Sequence, residues 1–290
     1  MSDSAQPQPS ASLPARQPKR RRIAGMLPTL LTLGNLVSGF AAIIAATKDT
    51  SKDAPGLSLP FGWTPLYAAC MFILLGMVCD GLDGSAARLT RTMSRMGAEL
   101  DSLADVVTFG IAPAIIACKL VGVNVPFFSP EWSHILHKAV FGAAAVYASC
   151  TALRLARYNT EDASPEAHGG FTGLPSPGAA GAVVGLVMLY GVFGKNYQGE
   201  QGEMAQGIIA VAVVSGLLLL GFAMVSRMSY THMVNRAFRG KAKIVRLLTI
   251  LALGLLLVVK FDYVLPACFL AYALSGPFFS ALHRLRPARA

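Results

Sequence analysis

Residues 71–84 read MFILLGMVCDGLDG, an apolar segment that runs directly into Asp80 and Asp83. A second acidic pair, Asp101 and Asp105, lies at the start of the next apolar segment. A carboxylate at the centre of a bilayer-spanning helix costs about 2.5–3.5 kcal/mol on insertion scales. We therefore expect these four residues, called the aspartate cluster below, to serve a function rather than to be tolerated by chance.

The composition surrounding this segment is that of a membrane protein. The chain has 290 residues, of which 54% are hydrophobic and 14% are charged, whereas soluble domains carry about 25% charged residues. The net charge of +10 could indicate nucleic-acid binding, but the basic residues are scattered between apolar segments and form no nucleic-acid motif. We predict an all-α, polytopic bundle of transmembrane helices that binds membrane lipid and no nucleic acid.

Apolar segments of about 20 residues are long enough to cross the hydrocarbon core as helices. We prefer eight spans, and six or seven remain open because the third begins with carboxylates and the last two are nearly continuous. The predicted spans are 26–46, 63–80, 98–120, 135–157, 174–194, 205–225, 246–260 and 262–281.

The distribution of basic residues predicts the orientation, since cytosolic loops are enriched in Lys and Arg. With the N-terminus in the cytosol, the cytosolic segments carry 19 of the 25 Lys and Arg residues, and the opposite side carries six. Both termini and the aspartate cluster are then cytosolic. Three regions follow: a disordered basic tail at 1–22, a six-helix catalytic core at 23–225, and a basic connector with two further spans at 226–290.

The spacing of the aspartates predicts a metal site. Asp80 and Asp83 are three residues apart and Asp101 and Asp105 four apart, so each pair lies on one face of its helix. The short connector should bring the pairs together, and four close carboxylates need protons or cations. Oxygen ligands favour Mg²⁺, Mn²⁺ or Ca²⁺. A solvated loop fits poorly because Asp105 precedes an apolar run, and an EF-hand loop fails at its third ligand position, Leu82. An ion pathway of a transporter remains the alternative.

Small and basic residues beside the aspartates indicate phosphate chemistry. Gly84 to Ala87 leave room for a bulky group against the backbone, and Arg88 lies one turn beyond Gly84. Arginine pairs well with phosphate oxygens, and paired metals are a known solution for displacement at phosphorus. The residues thus predict metal-dependent transfer of a phosphoryl-type group at a membrane surface.

The same residues resemble the signature of the CDP-alcohol phosphotransferases. This family consists of membrane enzymes that move a phosphatidyl or similar group from a CDP-linked donor to an alcohol and release CMP. The positions that carry the resemblance are Asp80, Asp83, Gly84, Ala87, Arg88, Gly97, Asp101 and Asp105.

The resemblance also implies roles for these residues. It makes Asp80, Asp83 and Asp101 metal ligands, with two Mg²⁺ or Mn²⁺ ions expected. Asp105 is implied as a further ligand or as the general base that takes the proton of the attacking hydroxyl, so Asp101 and Asp105 are the expected catalytic residues. The residues implied for the CDP site are Gly84, Ala87, Arg88, Gly97 and Asn35.

Three further segments are similar to the membrane-embedded phosphatidylserine synthase branch: 27–35 (LPTLLTLGN), 154–159 (RLARYN) and 171–177 (FTGLPSP). This branch implies CDP-diacylglycerol and L-serine as substrates, with Arg154 and Arg157 binding the serine carboxylate. Glycerol 3-phosphate, inositol phosphate or choline are the alternative acceptors. The resemblance also suggests a homodimer in the bacterial inner (cytoplasmic) membrane, with its active site facing the cytosol.

Overall fold

The computed structural model describes residues 19–48, 63–90, 95–122, 125, 127–161, 173–197, 199–226, 254 and 256–285. Side chains are described within these ranges except at residues 19–26, 87–90, 95, 161 and 279–285. The described elements are helical, with no strand among them. They are α1 (Lys19–Thr47), α2 (Pro65–Thr90), α3 (Arg95–Asp105), a π-helical segment (Val106–Ile111), α4 (Ala112–Gly122), α5 (Pro130–Glu161), α6 (Ser176–Asn196), α7 (Glu200–Val225) and α8 (Phe261–Leu285).

Six segments of the described chain are long and apolar enough to cross a bilayer, which confirms the predicted polytopic all-α fold. They are Leu27–Thr47, Pro65–Ala86, Met96–Gly122, Pro130–Thr160, Ser176–Asn196 and Glu200–Val225. The third is one continuous path through α3, the π-helical segment and α4, although it carries two aspartates. The predicted last span falls within α8, whereas most of 246–260 lies outside the described residues.

The arrangement of the helices places α1 at the centre of the predicted catalytic end. It packs along α2 and also contacts α3, the π-helical segment and α4. On the other side of the molecule α7 packs against α5 and α6, and α8 packs against α6. The predicted tail reaches residue 22, but residues 1–18 lie outside the described part and α1 begins at Lys19. The predicted end of the core at 225 coincides with the end of α7.

Thr108 lies where three helical segments approach one another closely. The residue is fully buried, and its hydroxyl donates a hydrogen bond of 3.0 Å to the backbone oxygen of Asn35 on α1. A Cβ atom added to Gly39 would lie 2.8 Å from Thr108 Cα, and one added to Gly76 would lie 2.6 Å from Thr108 Cγ2. Glycine at both positions therefore allows α1 and α2 to close around this threonine, just below the aspartate cluster.

Candidate active site

The aspartate cluster forms where α2 and α3 meet beside α1. Asp80, Asp101 and Asp105 each present a carboxylate oxygen, and these three oxygens lie within 4.8 Å of one another. The two acidic pairs thus face each other across the helix interface, as their spacing predicted. Asp80 and Asp101 are half-buried, whereas Asp105 is only 8% exposed.

The fourth aspartate, Asp83, is buried and is held from two sides. Its Oδ2 accepts a hydrogen bond of 2.9 Å from the hydroxyl of Thr32 on α1, and its carboxyl group lies close to that of Asp101. Two carboxylates this close repel each other unless positive charge lies nearby, so the contact marks a place where a proton or a cation is needed.

Asp105 is positioned from beneath by Asn35 of α1. The Asn35 side chain is fully buried, and its Nδ2 donates to Asp105 Oδ1 over 2.9 Å. Thr108 in turn holds the Asn35 backbone oxygen, so a chain of polar contacts runs from the Thr108 junction to the cluster. Asn35 was predicted in the CDP site; the described contact is with Asp105, and a role toward CDP stays a prediction.

The π-helical segment starts immediately after Asp105 and ends at Ile111. Wide helical turns of this kind are rare and occur frequently at functional sites. Within it, Thr108, Phe109 and Gly110 are buried, and the Phe109 backbone oxygen accepts a hydrogen bond of 2.9 Å from the hydroxyl of Tyr147 on α5. The segment is therefore fixed by α1 and α5 together, and the direction of Asp105 is fixed with it.

In front of the cluster, the glycines of α2 border open space. Among the described residues, a Cβ atom added to Gly81 or to Gly84 would meet no other atom within 4 Å, and both residues are exposed. Gly97, also predicted in the CDP site, is half-buried on α3. The side chains of Ala87 and Arg88 lie outside the described residues, so their predicted contacts with CDP are untested.

Arg154 on α5 is the basic residue whose side chain lies near the aspartate cluster. Its Nη1 donates a hydrogen bond of 2.7 Å to the hydroxyl of Ser176, the first residue of α6. Its charge interacts with those of Asp105 and Asp80. Its Nε is buried and has no hydrogen-bond partner among the residues that the structure describes, so no described residue satisfies this donor. Arg157, also predicted to bind the acceptor, lies one turn further along α5 and is half-buried.

Three residues that shape the site were not predicted as site residues. Thr32 binds Asp83, Thr108 holds Asn35, and Ser176 orients Arg154. Thr32 could have been found, because it lies one helical turn before Asn35 and so faces the same neighbours. No sequence pattern links Thr108 or Ser176 to partners 73 and 22 positions away.

The donor set fits divalent metal. The cluster offers only carboxylate oxygens, which hard cations prefer, and Asp101 Oδ1 is a buried oxygen that has no hydrogen-bond partner within the described part of the chain. The hydroxyl of Thr32 and the amide of Asn35 bind two of the aspartates from behind, as outer-shell groups orient metal ligands. This observation supports the predicted metal site without identifying the ion or the number of ions.

Comparison with known proteins gives several relatives whose names agree. The chain is 31% identical to a CDP-diacylglycerol--serine O-phosphatidyltransferase of Helicobacter pylori over 207 residues, 71% of this chain and 72% of that protein. It is 34% identical to the protein of that name in Mycobacterium bovis over 187 residues, but this match covers 62% of the chain and 56% of the relative. A Bacillus subtilis protein of the same name is 29% identical over 211 residues, 73% of the chain and 93% of that protein.

The family model for CDP-alcohol phosphatidyltransferase matches residues 25–218. This range contains all four aspartates, the glycines of α2 and Arg154, and it ends within α7. The family predicted from the aspartates and their neighbouring glycines is thereby confirmed: the chain is an integral membrane protein that belongs to the CDP-alcohol phosphatidyltransferase family.

Proposed function

We propose that this protein transfers the phosphatidyl group of CDP-diacylglycerol to the hydroxyl of L-serine, giving phosphatidylserine and CMP. The observation that carries the proposal is the convergence of Asp80, Asp101 and Asp105 within 4.8 Å, together with the buried Nε of Arg154, which has no hydrogen-bond partner among the described residues. Family membership supports the donor chemistry, and the shared name of the relatives supports serine as the acceptor.

The aspartate cluster is the proposed metal site. Asp80, Asp101 and Asp105 are the proposed ligands that face one another, and Asp83 adds its negative charge through its contact with Asp101. Two Mg²⁺ or Mn²⁺ ions are the proposed occupants. When bound, divalent metal neutralises charge on phosphoryl oxygens and so favours displacement at phosphorus. The hydrogen bonds from Thr32 to Asp83 and from Asn35 to Asp105 would orient these two carboxylates toward the metal.

The CDP group of the donor is placed along the open face of α2. Gly81 and Gly84 leave that face free of side chains, so a nucleotide diphosphate can lie against the helix backbone beside the aspartates. Arg88, one turn further on, is proposed to pair with a phosphate oxygen. The acyl chains of the donor are proposed to stay in the bilayer, against the apolar, lipid-facing surfaces of the neighbouring spans.

The acceptor is placed between Asp105 and Arg154. A carboxylate binds arginine through two parallel hydrogen bonds, and the Nε edge of Arg154 offers that geometry because Ser176 engages Nη1 on the other side. Arg157 is proposed to add positive charge. The serine hydroxyl then lies toward Asp105, which accepts its proton as the new oxygen–phosphorus bond forms and the bond to CMP breaks.

Release of labelled CMP from CDP-diacylglycerol by the purified protein tests this proposal. CMP and phosphatidylserine should appear in equal amounts only when serine and a divalent metal are present, and chelation should stop the reaction. Release with glycerol 3-phosphate, inositol phosphate or choline but not with serine would refute the acceptor assignment. Metal-independent turnover would refute the role of the cluster.

The base assignment is tested separately with Asp105→Asn. This variant should lose turnover by at least a factor of about 100, since positioned acid–base groups contribute 10²–10⁴-fold, while CDP-diacylglycerol binding persists. The matched control is Asp262→Asn, because Asp262 is a carboxylate on α8 that accepts a hydrogen bond from Tyr67 instead of joining the cluster. Turnover that survives in Asp105→Asn would show that another group takes the proton.

The distribution of basic residues supports a cytosolic location for this site and for both termini. We propose the bacterial inner membrane as the location and a homodimer as the assembly. Labelling of single cysteines placed at the two termini in intact and in opened cells tests the orientation. We expect both termini to be protected from labelling in intact cells. Labelling of the termini from outside intact cells would show that the topology is the opposite one.

A further inference from the structure

The helix α8 lies beyond residue 218, where the match to the family model ends, yet it reaches the site. Its packing against α6 depends on three glycines spaced along one face of that helix. A Cβ atom added to Gly178 would lie 2.7 Å from Tyr272 Cε1, and one added to Gly185 would lie 3.0 Å from Pro266 Cα; Gly181 lies against the ring of Phe269. Positions rise along α6 as they fall along α8, so the two helices are antiparallel.

This antiparallel packing fixes both ends of the shared interface. At the end away from the cluster, Asn196 Nδ2 donates to the hydroxyl of Tyr263 over 2.7 Å, and the hydroxyl of Tyr67 donates to Asp262 Oδ1 over 2.7 Å. At the other end the ring of Tyr272 lies over Gly178, two residues after Ser176. Tyr272 is thereby held beside the serine that orients Arg154.

Tyr272 and Arg154 approach the same turn of α6, at Gly178 and at Ser176 respectively, which brings the tyrosine side chain close to the guanidinium. Tyr272 is half-buried and lies on α8, a different helix from Arg154. Tyr158, the other tyrosine near Arg154, lies on α5 itself and is 39% exposed. The buried Nε of Arg154 has no hydrogen-bond partner in the ranges that the structure describes. An anionic group bound there would have Tyr272 as its neighbour on the α8 side.

We propose that Tyr272 is a specificity-determining residue of the acceptor site, whose hydroxyl donates a hydrogen bond to the acceptor carboxylate held by Arg154. This inference rests on the proposed function, because it assumes an acceptor that carries a carboxylate. It gives α8 a role in substrate selection: the helix supplies a ligand-binding group that the region matched by the family model does not contain.

The test compares Tyr272→Phe with the unaltered protein, using L-serine and L-serinamide as acceptors. Serinamide keeps the attacking hydroxyl and the amino group but lacks the carboxylate charge. Because hydrogen bonds to charged groups are the strong ones, we expect kcat/KM for serine to fall about tenfold, mainly through KM. We expect kcat/KM for serinamide and the KM for CDP-diacylglycerol to change less than about twofold.

Phenylalanine keeps the ring over Gly178, so Tyr272→Phe preserves the packing of α8. Tyr263→Phe is the matched control, since it removes a hydroxyl from the same helix at the end away from the cluster; it should leave the ratio of the two acceptors unchanged. An equal loss with serine and serinamide, or no loss with either, would overturn the role of Tyr272. Failure of the unaltered protein to use serine would instead overturn the proposed function.

Discussion

Two pairs of glycines lie on opposite sides of the aspartate cluster, and the same residue type serves opposite purposes in them. Gly39 and Gly76 lie behind the cluster, where a Cβ atom would come within 3 Å of Thr108. Gly81 and Gly84 lie in front of it, where a Cβ atom would meet no atom of the described chain within 4 Å. The rear pair brings helices together, whereas the front pair keeps a surface clear of side chains, and we propose that the substrate lies on that surface.

The rear of the site is held rigidly by the protein, whereas the front is accessible to a substrate. The rear of the site is closed by the hydrogen bonds from Thr108 to the Asn35 backbone oxygen and from Tyr147 to the Phe109 backbone oxygen, so the aspartate cluster has a fixed support. The front is open along one helix, so a donor that carries two acyl chains can approach from the bilayer. Substitutions at the rear should therefore act on stability, and substitutions at the front should act on substrate binding.

The largest effect is expected behind the cluster, for Gly76→Val. The added side chain would collide with Thr108 Cγ2 and with Asn35 Oδ1, which lie 2.6 and 2.9 Å from the new Cβ position. Overpacking a close-packed site costs about 1–3 kcal/mol, and we expect the thermal midpoint in detergent to fall by roughly 5–10 °C. Thermal unfolding followed by size-exclusion chromatography measures this. An unchanged midpoint would show that the junction tolerates expansion.

The second effect is expected in front of the cluster, for Gly84→Leu. The side chain fills space that the CDP group is proposed to occupy, so KM for CDP-diacylglycerol should rise 10–100-fold, a loss of about 1.4–2.8 kcal/mol of binding. The thermal midpoint should stay within about 2 °C, since nothing in the protein is displaced. A large fall in the midpoint with unchanged KM would reverse the assignment of the two glycine pairs.

A smaller effect is expected for Thr32→Val, which removes the hydroxyl bound to Asp83 and keeps the shape of the side chain. Loss of an outer-shell hydrogen bond weakens metal binding about 10-fold or more. The Mg²⁺ or Mn²⁺ concentration for half-maximal activity should rise accordingly, with activity recovered at saturating metal. Thr47→Val is the matched control on α1, because its hydroxyl bonds only within the exposed end of the helix. Equal metal requirements in both variants would contradict a supporting role for Thr32.

The smallest effect is expected for Gly142→Leu on α5. This glycine is also exposed with nothing within 4 Å of an added Cβ atom, but it lies away from the cluster. Both the thermal midpoint and KM should stay within the range of ordinary surface substitutions, about 0.5 kcal/mol. A rise in KM equal to that of Gly84→Leu would show that open space alone does not mark the CDP site.

The sequence alone determined the parts of this protein that depend on local pattern. The lengths of the apolar segments predicted eight spans, and six of these correspond to described helices that are long and apolar enough to cross a bilayer, where a helix satisfies its own backbone. The spacing of the four aspartates predicted that the two pairs share an interface, and the residues around them identified the family. These features are readable because each one is set by residues within one or two helical turns of each other.

Only the tertiary structure decided which residues support the site. Thr32, Thr108 and Ser176 come from α1, the π-helical segment and α6, and each acts on a partner from another element. The structure also distinguished the glycines that close the Thr108 junction from those that keep α2 clear, and it brought Tyr272 of α8 beside Arg154. Such contacts depend on how helices cross in three dimensions, and helical periodicity alone does not contain that information.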